Sequence, residues 1–512
     1  MSHCRHRAGI PPTGDTGLDN VAIRPSGPAG VLTPRELTGA GRSEAARVLD
    51  AARGVESNAD GVPADGVEGA GAAPGSHDAD GRPTQLLPIS QLMRISLYWL
   101  GIATVWSGIL DIVNGRIQFA GLAPRGSEGL GALQIALVGT VIAIAVQPTI
   151  GSISDYTVTR WGRRKPYIFI GATLDVLFLY GIATANGLFA IGAFVALLQF
   201  SSNFAQGPFQ GYVPDLVPAR QVGTASGLLG LFSALGNLLG YGAAAIAVRQ
   251  SGSDPNAFFY GTMAIGVIEF IAMLGVFVGV NEGTRVKLRR GRSWIAIALE
   301  AWGTDILTER SFLWLVSSRL FILTAASLYP VLSTFYLAQV FGLSAKETGD
   351  TKIILLGIVA TFLTIAVVPA ARLSDRMGRK RIIYVSCVVG ATGLGLGAVA
   401  PILPVAMLGA ALFAISAGAF LAVDWALMSD IVPKASTGRY MGISNVATAS
   451  AGTVALALGG AGVMDTVNRW LGYGAGPRAA LGFGVICYAV GALLLRPVIE
   501  KRREDAAVAA TT

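Results

Sequence analysis

The sequence predicts an all-α membrane protein of twelve transmembrane helices, arranged as two six-helix pseudo-repeats that follow a disordered N-terminal tail. The first observation behind this prediction is composition. Of 512 residues, 52% are hydrophobic and only 14% are charged, and the mean hydropathy is +0.57. Soluble proteins carry about 25% charged residues, so the composition excludes a soluble multidomain enzyme and favours a chain surrounded by lipid.

The second observation is a series of long apolar stretches separated by short polar segments. Crossing about 30 Å of hydrocarbon takes roughly 20 residues of α-helix. Stretches of that length predict helices at about 95–115, 131–151, 167–186, 188–213, 222–248, 257–280, 312–341, 350–372, 382–400, 403–431, 439–464 and 479–499. The 66 glycines agree with this interpretation, because small residues let membrane helices pack closely.

The third observation is an internal repeat. The segment PDLVPARQVGTASG, which begins at Pro214, returns as SDIVPKASTGRYMG from Ser429, so that Asp215 matches Asp430. The repeat predicts two parallel halves with a ligand site between them. The corresponding domains are an N-terminal bundle at 89–280, a linker at 281–311, a C-terminal bundle at 312–499 and a tail at 500–512. The linker contains WIAIALEAW, an amphipathic segment expected to lie on the membrane surface.

Residues 1–88 differ in composition from the rest of the chain. They are rich in Gly, Ala, Pro, Asp and Ser and nearly free of aromatic residues, so they cannot bury enough apolar area to offset chain entropy. We expect a disordered cytoplasmic tail. Its role stays open between a regulatory arm and a dispensable extension.

The basic residues predict the orientation in the membrane. They cluster in alternate loops at 160–165, 285–292, 376–381 and 501–503, whereas the other loops hold scattered cations. Cytoplasmic loops carry the excess of Lys and Arg, so we expect both termini in the cytoplasm and the chain in the plasma (inner) membrane. The formal charge of +8 then reflects membrane topology, and no nucleic-acid partner is expected.

The loop after the second predicted helix and the loop after the eighth carry related motifs. The later one contains Asp375, Arg376, Gly378, Arg379 and Lys380, and the earlier one contains Asp155, Arg160, Gly162, Arg163 and Arg164. The aspartate can pair with the cations or cap a helix, and the glycine permits a tight turn. We predict that these loops act as gates; the alternative is that their cations only anchor the chain to the membrane.

These motifs resemble the signature of the major facilitator superfamily. The earlier loop, with its longer spacer and its Lys165-Pro166-Tyr167 ending, resembles the sucrose/proton symporter branch, and more distantly the glycoside–cation symporters. The segment from Gln206 to Pro218 resembles the same branch. The resemblance covers about residues 90–500. It implies the major facilitator fold and a central cavity lined by the first, fourth, seventh and tenth helices.

Polar side chains inside those four helices are the candidates for the cavity, because polar groups in a membrane are costly unless they face protein or water. The fourth helix places four amides on one face, which suits hydroxyl-rich ligands. The substrate candidates are Thr104, Ser107, Asn114, Gln199, Asn203, Gln206, Gln210, Arg319 and Trp425. The alternative for these groups is hydrogen bonding between helices. At similar depths, Arg319 and Asp424 are predicted to form a buried ion pair.

The predicted function is proton-coupled symport of a sugar, glycoside or similar small polar solute by alternating access. The candidate proton sites are Asp111, Asp424 and Glu269, with Asp111 first and Na⁺ left open as the coupling ion. No cofactor or metal is expected, the partners are lipid and a small polar solute, and the chain is expected to be monomeric. The sequence contains no nucleotide-binding loop or hydrolytic constellation, so we do not expect an enzyme. The alternatives are a proton-antiport exporter and a membrane scaffold or sensor.

Overall fold

The computed structural model describes residues 83–157, 159–282, 293, 310–431, 444, 447–448 and 450–498. Several predicted segments lie outside these residues. They are most of the N-terminal tail, the amphipathic segment WIAIALEAW, the second copy of the internal repeat after Ile431, and the C-terminal tail.

Twelve helices in the described part of the chain are long and apolar enough to cross a membrane, which confirms the predicted fold class. The first six are α1 (Ile89–Phe119), α2 (Glu128–Ser154), α3 (Lys165–Thr184), α4 (Leu188–Leu216), α5 (Val222–Gln250) and α6 (Ala257–Gly279). The last six are α7 (Arg310–Val340), α8 (Ala345–Met377), α9 (Arg379–Val399), α10 (Leu403–Ile431), α11 (Ser450–Leu471) and α12 (Ala475–Leu494). The chain is a multi-pass membrane protein.

Several helix ends differ from the predicted ones because polar turns extend the apolar stretches. The helix α1 starts with a short segment at Ile89–Ser96 that breaks at Leu97. At the start of α8, Ser344 and Glu347 form a capping box, so this helix begins before the predicted residue 350. The helix α11 continues past 464 through the polar turn Asp465–Leu471, after a π-helical stretch at Ala455–Met464.

The two halves pack their helices in the same way. In the first half α1 contacts α5 and α6, α2 contacts α4, and α3 contacts α4 and α6; α7 to α12 repeat most of these contacts in the second half. Glycines bring α1 and α5 together: a Cβ at Gly236 would clash with the Leu100 oxygen, and one at Gly240 would clash with the Ser107 hydroxyl. Across the halves, α2 packs on α11, α5 on α8 and α1 on α7.

The bundle has two ends that differ in charge. The α2–α3 and α8–α9 loops, with the basic motifs, lie at one end, which we call the basic end. The loops α1–α2, α7–α8 and α11–α12 lie at the other, which we call the opposite end. This topology follows from the order of the spans, because each helix reverses the direction of the chain.

Candidate functional site

A cavity of about 400 Å³ lies between the two halves. Its walls come from α1, α2, α4, α7 and α11, and none of the described residues that line it carries a charge. Side chains from α4 dominate one wall: Gln199, Asn203, Gln206 and Gln210 all line the cavity. Their spacing of four, three and four residues keeps successive amides on one helical face. Small-molecule sites have volumes of this order and combine apolar walls with a few polar groups.

The amides of α4 are themselves ordered by local hydrogen bonds. Asn203 Nδ2 donates to the Gln199 backbone oxygen at 2.8 Å and to Gln199 Oε1 at 3.2 Å. Gln199 also packs against Gly139 of α2, where a Cβ would approach its Cγ to 2.5 Å. Gln206 and Gln210 lie one and two turns further toward the basic end. The α4 wall therefore combines a fixed pair of amides with a second pair closer to the basic end.

Helices α2 and α11 contribute polar lining that the sequence analysis did not single out. Gln147 comes from α2, and Thr448 comes from the chain just before α11. Thr140 of α2 and Thr453 of α11 also line the cavity and share a hydrogen bond between their hydroxyls, which joins the two halves. Single hydroxyls in an apolar stretch give no helical pattern, so only the packing of α2 on α11 identifies them.

The polar face predicted on α1 is divided between the cavity and a helix contact. Trp99 and Trp106 line the cavity, next to the amides of α4. Thr104 and Ser107 instead face α5, where Thr104 donates to the Gly236 oxygen at 3.1 Å. The candidates Thr104 and Ser107 therefore lie in a helix–helix contact rather than in the cavity. Short hydroxyl side chains donate to nearby backbone carbonyls. Hydrogen bonding between helices is the alternative that the sequence left open for these two residues.

Asn114 also lies outside the cavity lining. Its Nδ2 donates to the Val331 oxygen of α7 at 2.8 Å, so it joins the first half to the second. One turn away, Asp111 also joins the first half to the second, in this case through an ion pair. Its carboxylate is paired with the Lys352 ammonium of α8 and accepts a hydrogen bond from the Thr334 hydroxyl of α7 at 3.0 Å.

The Asp111–Lys352 pair is almost excluded from water. The exposed fractions of the two side chains are 3% and 7%. Lys352 also donates to Thr334 at 2.6 Å, whereas Asp111 Oδ2 is buried without a hydrogen-bond partner among the described residues. The sequence analysis missed Lys352, although a single lysine inside an apolar stretch is a signal in itself, because a charge in a membrane span is costly and rare.

The predicted ion pair between Arg319 and Asp424 is present in the second half. Arg319 Nε donates to Asp424 Oδ1 at 2.7 Å and Nη2 donates to Oδ2 at 2.6 Å, in the bidentate geometry that favours arginine. Nη1 donates to the Ser444 hydroxyl of the chain preceding α11. The pair thus lies between α7 and α10 and does not line the cavity. The Trp425 side chain lies outside the description.

Glu269 belongs to a separate buried cluster within the first half. Tyr98 donates to Glu269 Oε1 at 3.3 Å, and Asp175 of α3 accepts a hydrogen bond from Ser201 of α4. Both carboxyl groups are fully buried. The cluster holds α1, α3, α4 and α6 together, and Glu269 does not line the cavity.

The first gating motif forms an ion-pair network at the basic end. Arg164 Nη2 lies 2.7 Å from Asp155 Oδ1 and 2.5 Å from Asp215 Oδ2, and Arg163 pairs with the same Asp215. Glu282, just after α6, accepts the backbone amides of Arg164 at 2.8 Å and of Lys165 at 2.7 Å. It therefore caps α3. The sequence analysis did not assign roles to Asp215 or Glu282, which come from distant parts of the chain.

The remaining residues of the two motifs have different surroundings. The Arg160 guanidinium lies 5.3 Å from the centroid of the Trp161 ring. Gly162 has φ +118°, and a Cβ there would contact Glu282. In the second copy Gly378, with φ +92°, separates α8 from α9, and Lys380 donates to the carbonyls of Arg496 and Val498 beyond α12. Arg376 is exposed and Arg379 is half-buried, and the Asp375 side chain lies outside the description.

The opposite end carries a set of contacts between the halves. The Asp465 carboxylate of α11 accepts the backbone amides of Gly129 at 3.0 Å and Leu130 at 2.7 Å in α2. Arg249 of α5 and Asp350 of α8 form an exposed ion pair at 2.6 Å. Among described residues, the hydrogen bonds and ion pairs that join the halves lie at this end or near mid-membrane.

Comparison with known proteins places this arrangement in a family. The sequence model of the Major Facilitator Superfamily matches residues 97–456 and 313–510. Sucrose transport protein SUT1 of Oryza sativa subsp. japonica is 30% identical over 165 residues, which are 28% of this chain and 29% of that protein. Sucrose transport protein SUC4 of Arabidopsis thaliana is 30% identical over 168 residues, 29% of this chain and 32% of that protein. The chain is thus matched to about a third of these relatives' length.

Solved structures share the fold at low identity. A mutant of the nucleoside transporter NupG superposes with a TM-score of 0.62 at 14% identity, covering 80% of this chain and 100% of that one. The D-xylose-proton symporter superposes with a TM-score of 0.57 at 19% identity, covering 80% and 98%. The family also confirms that the chain is not an enzyme. With twelve spans and a family match over most of its length, the chain belongs to the major facilitator superfamily.

Proposed function

We propose that the protein is a secondary active transporter that carries a neutral, hydroxyl-rich solute of the sugar or glycoside class by alternating access. The observation that carries the proposal is the cavity's described lining, which carries no charge and includes amides, hydroxyls and two indoles. Amides both donate and accept hydrogen bonds, as a ring of hydroxyl groups requires. Indole faces offer apolar surface for the carbon side of a sugar ring.

The chemistry of the lining also argues against other solutes. A charged solute would have to leave water for a cavity whose described lining supplies no opposite charge, at a cost of several kcal/mol. A purely apolar solute would leave the α4 amides unpaired, which is also unfavourable. The segment similarity to plant sucrose transport proteins supports the same solute class, as their names state their substrate.

We further propose that the structure represents the state open toward the basic end. Gln206, Gln210 and Trp99 carry the cavity toward that end, whereas at the other end the contacts of Asp111 and Asp465 between the halves lie beyond its lining. The excess of basic residues assigns the basic end to the cytoplasm, in accord with the positive-inside rule. The chain then lies in the plasma membrane with both termini inside, and its cavity faces the cytoplasm.

Proton coupling is the final part of the proposal. The Asp111–Lys352 pair joins the halves on the closed side, so that side can open only when the pair separates. A proton on Asp111 removes the attraction between its carboxylate and the Lys352 ammonium. Lys352 is then the one charge of the pair, and water that enters as the halves part can hydrate it. Binding of one proton to Asp111 thereby becomes a condition for opening the opposite end, which is what symport requires.

Flux into proteoliposomes tests this function. A panel of labelled sugars, glycosides, amino acids and cationic drugs should show uphill uptake of a neutral hydroxyl-rich solute under an inward-directed proton gradient. Gln206→Leu should reduce apparent affinity about tenfold or more, because a buried solute hydroxyl loses its partner. Gln250→Leu is the matched control, because Gln250 is an exposed amide at the end of α5 away from the cavity. Efflux of drugs, or no flux for any solute, would reject the proposal.

A further inference from the structure

The α2–α11 contact contains an unusual link between the two halves. Asp465 of α11 is buried, with 2% of its surface exposed, and both of its carboxylate oxygens accept backbone amides from the first turn of α2. The residue that caps the start of a helix normally lies just before that helix in the sequence. The start of α2 is instead capped by Asp465 of the other half, so α2 loses this cap whenever the halves part at this end.

The two amide donors of α2 favour the ionised form of the Asp465 carboxyl group, whereas its burial disfavours a charge. The first turn of a helix carries about half a positive charge from its unpaired amides. Each oxygen of the carboxylate accepts one amide, whereas in a protonated carboxyl group the oxygen that carries the proton becomes a donor and a much weaker acceptor. Protonation of Asp465 therefore weakens at least one of the two hydrogen bonds and removes the negative charge that the helix start attracts.

The helices α2 and α11 pack so closely at this contact that a side chain larger than glycine does not fit at Gly129. A Cβ at Gly129 would clash with the Gly460 carbonyl, so the α2 and α11 backbones touch directly. Further inward, the Thr140–Thr453 hydroxyl pair continues the same line of contacts to the cavity. The helices are antiparallel, so the described hydrogen bonds between α2 and α11 run from Asp465 at the outside to the Thr140–Thr453 pair at the cavity. We call this line of contacts the seam.

We propose that Asp465 is a gate residue: its carboxylate holds the opposite end shut by capping α2 of the other half, and a proton from that side releases it. The inference rests on the proposed alternating access but not on the identity of the solute. It gives the protein a second point at which an outside proton favours opening, remote from Asp111.

Other titratable groups face the same region and need separate control. Glu128 in the first turn of α2 accepts the Gly126 amide at 2.8 Å and the Tyr473 hydroxyl at 3.1 Å. Burial raises the pKa of the Tyr473 hydroxyl, so this group stays a donor at neutral pH. Arg469, on the next turn of α11, is the nearby cation. Of these described groups, Asp465 is the one that fastens the α2 backbone to α11.

Cysteine accessibility can measure the opening of this seam directly. Ala132 of α2 lies one turn inward of Gly129 and is 3% exposed, so the thiol introduced by Ala132→Cys should react with an impermeant reagent only when the seam opens. We call this thiol the seam thiol. The background replaces Cys4, Cys387 and Cys487. The reagent is applied from each side in turn, using whole cells and inverted vesicles, without any solute.

Asp465→Asn should increase the labelling rate of the seam thiol from the opposite end about tenfold at neutral pH, the effect of losing a charged helix cap. In the Asp465 parent the rate should rise as external pH falls from about 7 to about 5, and in Asp465→Asn the rise should be clearly smaller, because Asp111 is then the one remaining proposed proton site. Asp254→Asn is the matched control: Asp254 also accepts an amide at the start of a helix, at 2.8 Å from Asn256, but within one half. It should keep the parent rate and pH response.

A second variant tests the other partner of the same bonds. Leu130→Pro removes one of the two amide donors at a position in the first helical turn where proline is tolerated. It should label faster, as Asp465→Asn does, whereas Leu130→Ala should label like the parent, because it keeps the amide and changes only an exposed side chain. Parental labelling in both Asp465→Asn and Leu130→Pro would overturn the proposal. A pH response in Asp465→Asn equal to that of the parent would assign the proton to another group and overturn its second half. Failure of the solute panel would leave these labelling results unaffected.

Discussion

Two buried ion pairs, in different parts of the molecule, use the same chemistry in opposite ways. Arg319 and Asp424 lie within the second half, with exposed fractions of 4% and 3%. Lys352 and Asp111 join the second half to the first and are 7% and 3% exposed. A pair within one half can survive a movement of the halves as rigid bodies, whereas a pair across the halves must break. Position in the fold, and not burial, therefore distinguishes a pair that can stay intact from one that the proposed alternating access must open.

The geometry of the pairs agrees with this difference. Arg319 uses three nitrogens, two for Asp424 and one for Ser444. Lysine has a point charge on a flexible stem, and Asp111 keeps one oxygen without a partner among the described residues. A bidentate arginine contact is harder to replace than a single lysine contact. The pair that has to open is therefore the one with fewer bonds to lose.

The largest effect should come from breaking the pair between the halves. Asp111→Asn leaves the Lys352 ammonium buried without its counter-charge, at a cost of about 3–5 kcal/mol. We expect it to abolish gradient-driven accumulation and to loosen the closed side, as labelling of the seam thiol would report. Adding Lys352→Met should restore thermal stability and solute exchange, but not accumulation. Normal accumulation by the double variant would remove Asp111 from the coupling mechanism.

Breaking the pair within one half should reduce stability and leave coupling intact. Arg319→Met and Asp424→Asn should each lower the melting temperature in detergent by several degrees, because each leaves a lone buried charge. The double variant should be more stable than either single variant. Those variants that can be purified in active form should show the same ratio of solute accumulation to solute exchange as the parent protein. Additive losses of stability in the double-mutant cycle would contradict the pairing.

The ion-pair network at the basic end is less buried than these two pairs, and we expect an effect of intermediate size from breaking it. Asp155 is 20% exposed and pairs with Arg164, which keeps Asp215 and the Pro208 carbonyl, at 2.7 Å, as further partners. Asp155→Asn should therefore cost about 1–2 kcal/mol and slow transport several-fold without abolishing solute binding. Binding can be followed by ligand-induced thermal shift. Loss of binding at all solute concentrations would show that Asp155 does more than hold the loop.

The smallest effect should come from the exposed pair across the halves. Arg249 and Asp350 are 45% and 46% exposed, and exposed ion pairs contribute about 0.2–1 kcal/mol. Arg249→Gln should increase labelling of the seam thiol less than about fivefold, and the increase should disappear at high salt because the pair is already screened there. An effect as large as that of Asp111→Asn would mean that burial does not set the strength of the contacts between the halves.

Most of the fold could be predicted because it depends on quantities that are local in sequence. The length of each apolar stretch fixes a span, and the repeat around Asp215 and Asp430 shows the two halves. The extra turns at Ile89 and Asp465 could not be predicted in this way, because they are polar or amphipathic and are held against the bundle by the packing of their buried residues. Domain boundaries at the tails and the linker remain predictions.

The site was predicted only in part, for a related physical reason. The four α4 amides repeat with a helical period, so their common face is visible in the sequence. The partners of Asp111, Asp155 and Asp465 come from distant helices and have no such period. Lys352 is the exception that could have been found: a lysine in an apolar stretch calls for a buried acid, and Asp111 was already a candidate.

The neutral lining of the cavity has an electrical consequence. In the proposed symport a neutral solute, in a cavity whose described lining is uncharged, adds nothing to the charge that crosses the membrane, so the net charge moved in a complete cycle is that of the coupling ion. The displacement of Lys352 reverses within the cycle and cancels. One elementary charge moved through 100 mV releases about 2.3 kcal/mol. At one proton per solute, membrane voltage of that size alone would sustain roughly a fiftyfold concentration ratio of solute, even with no difference in pH.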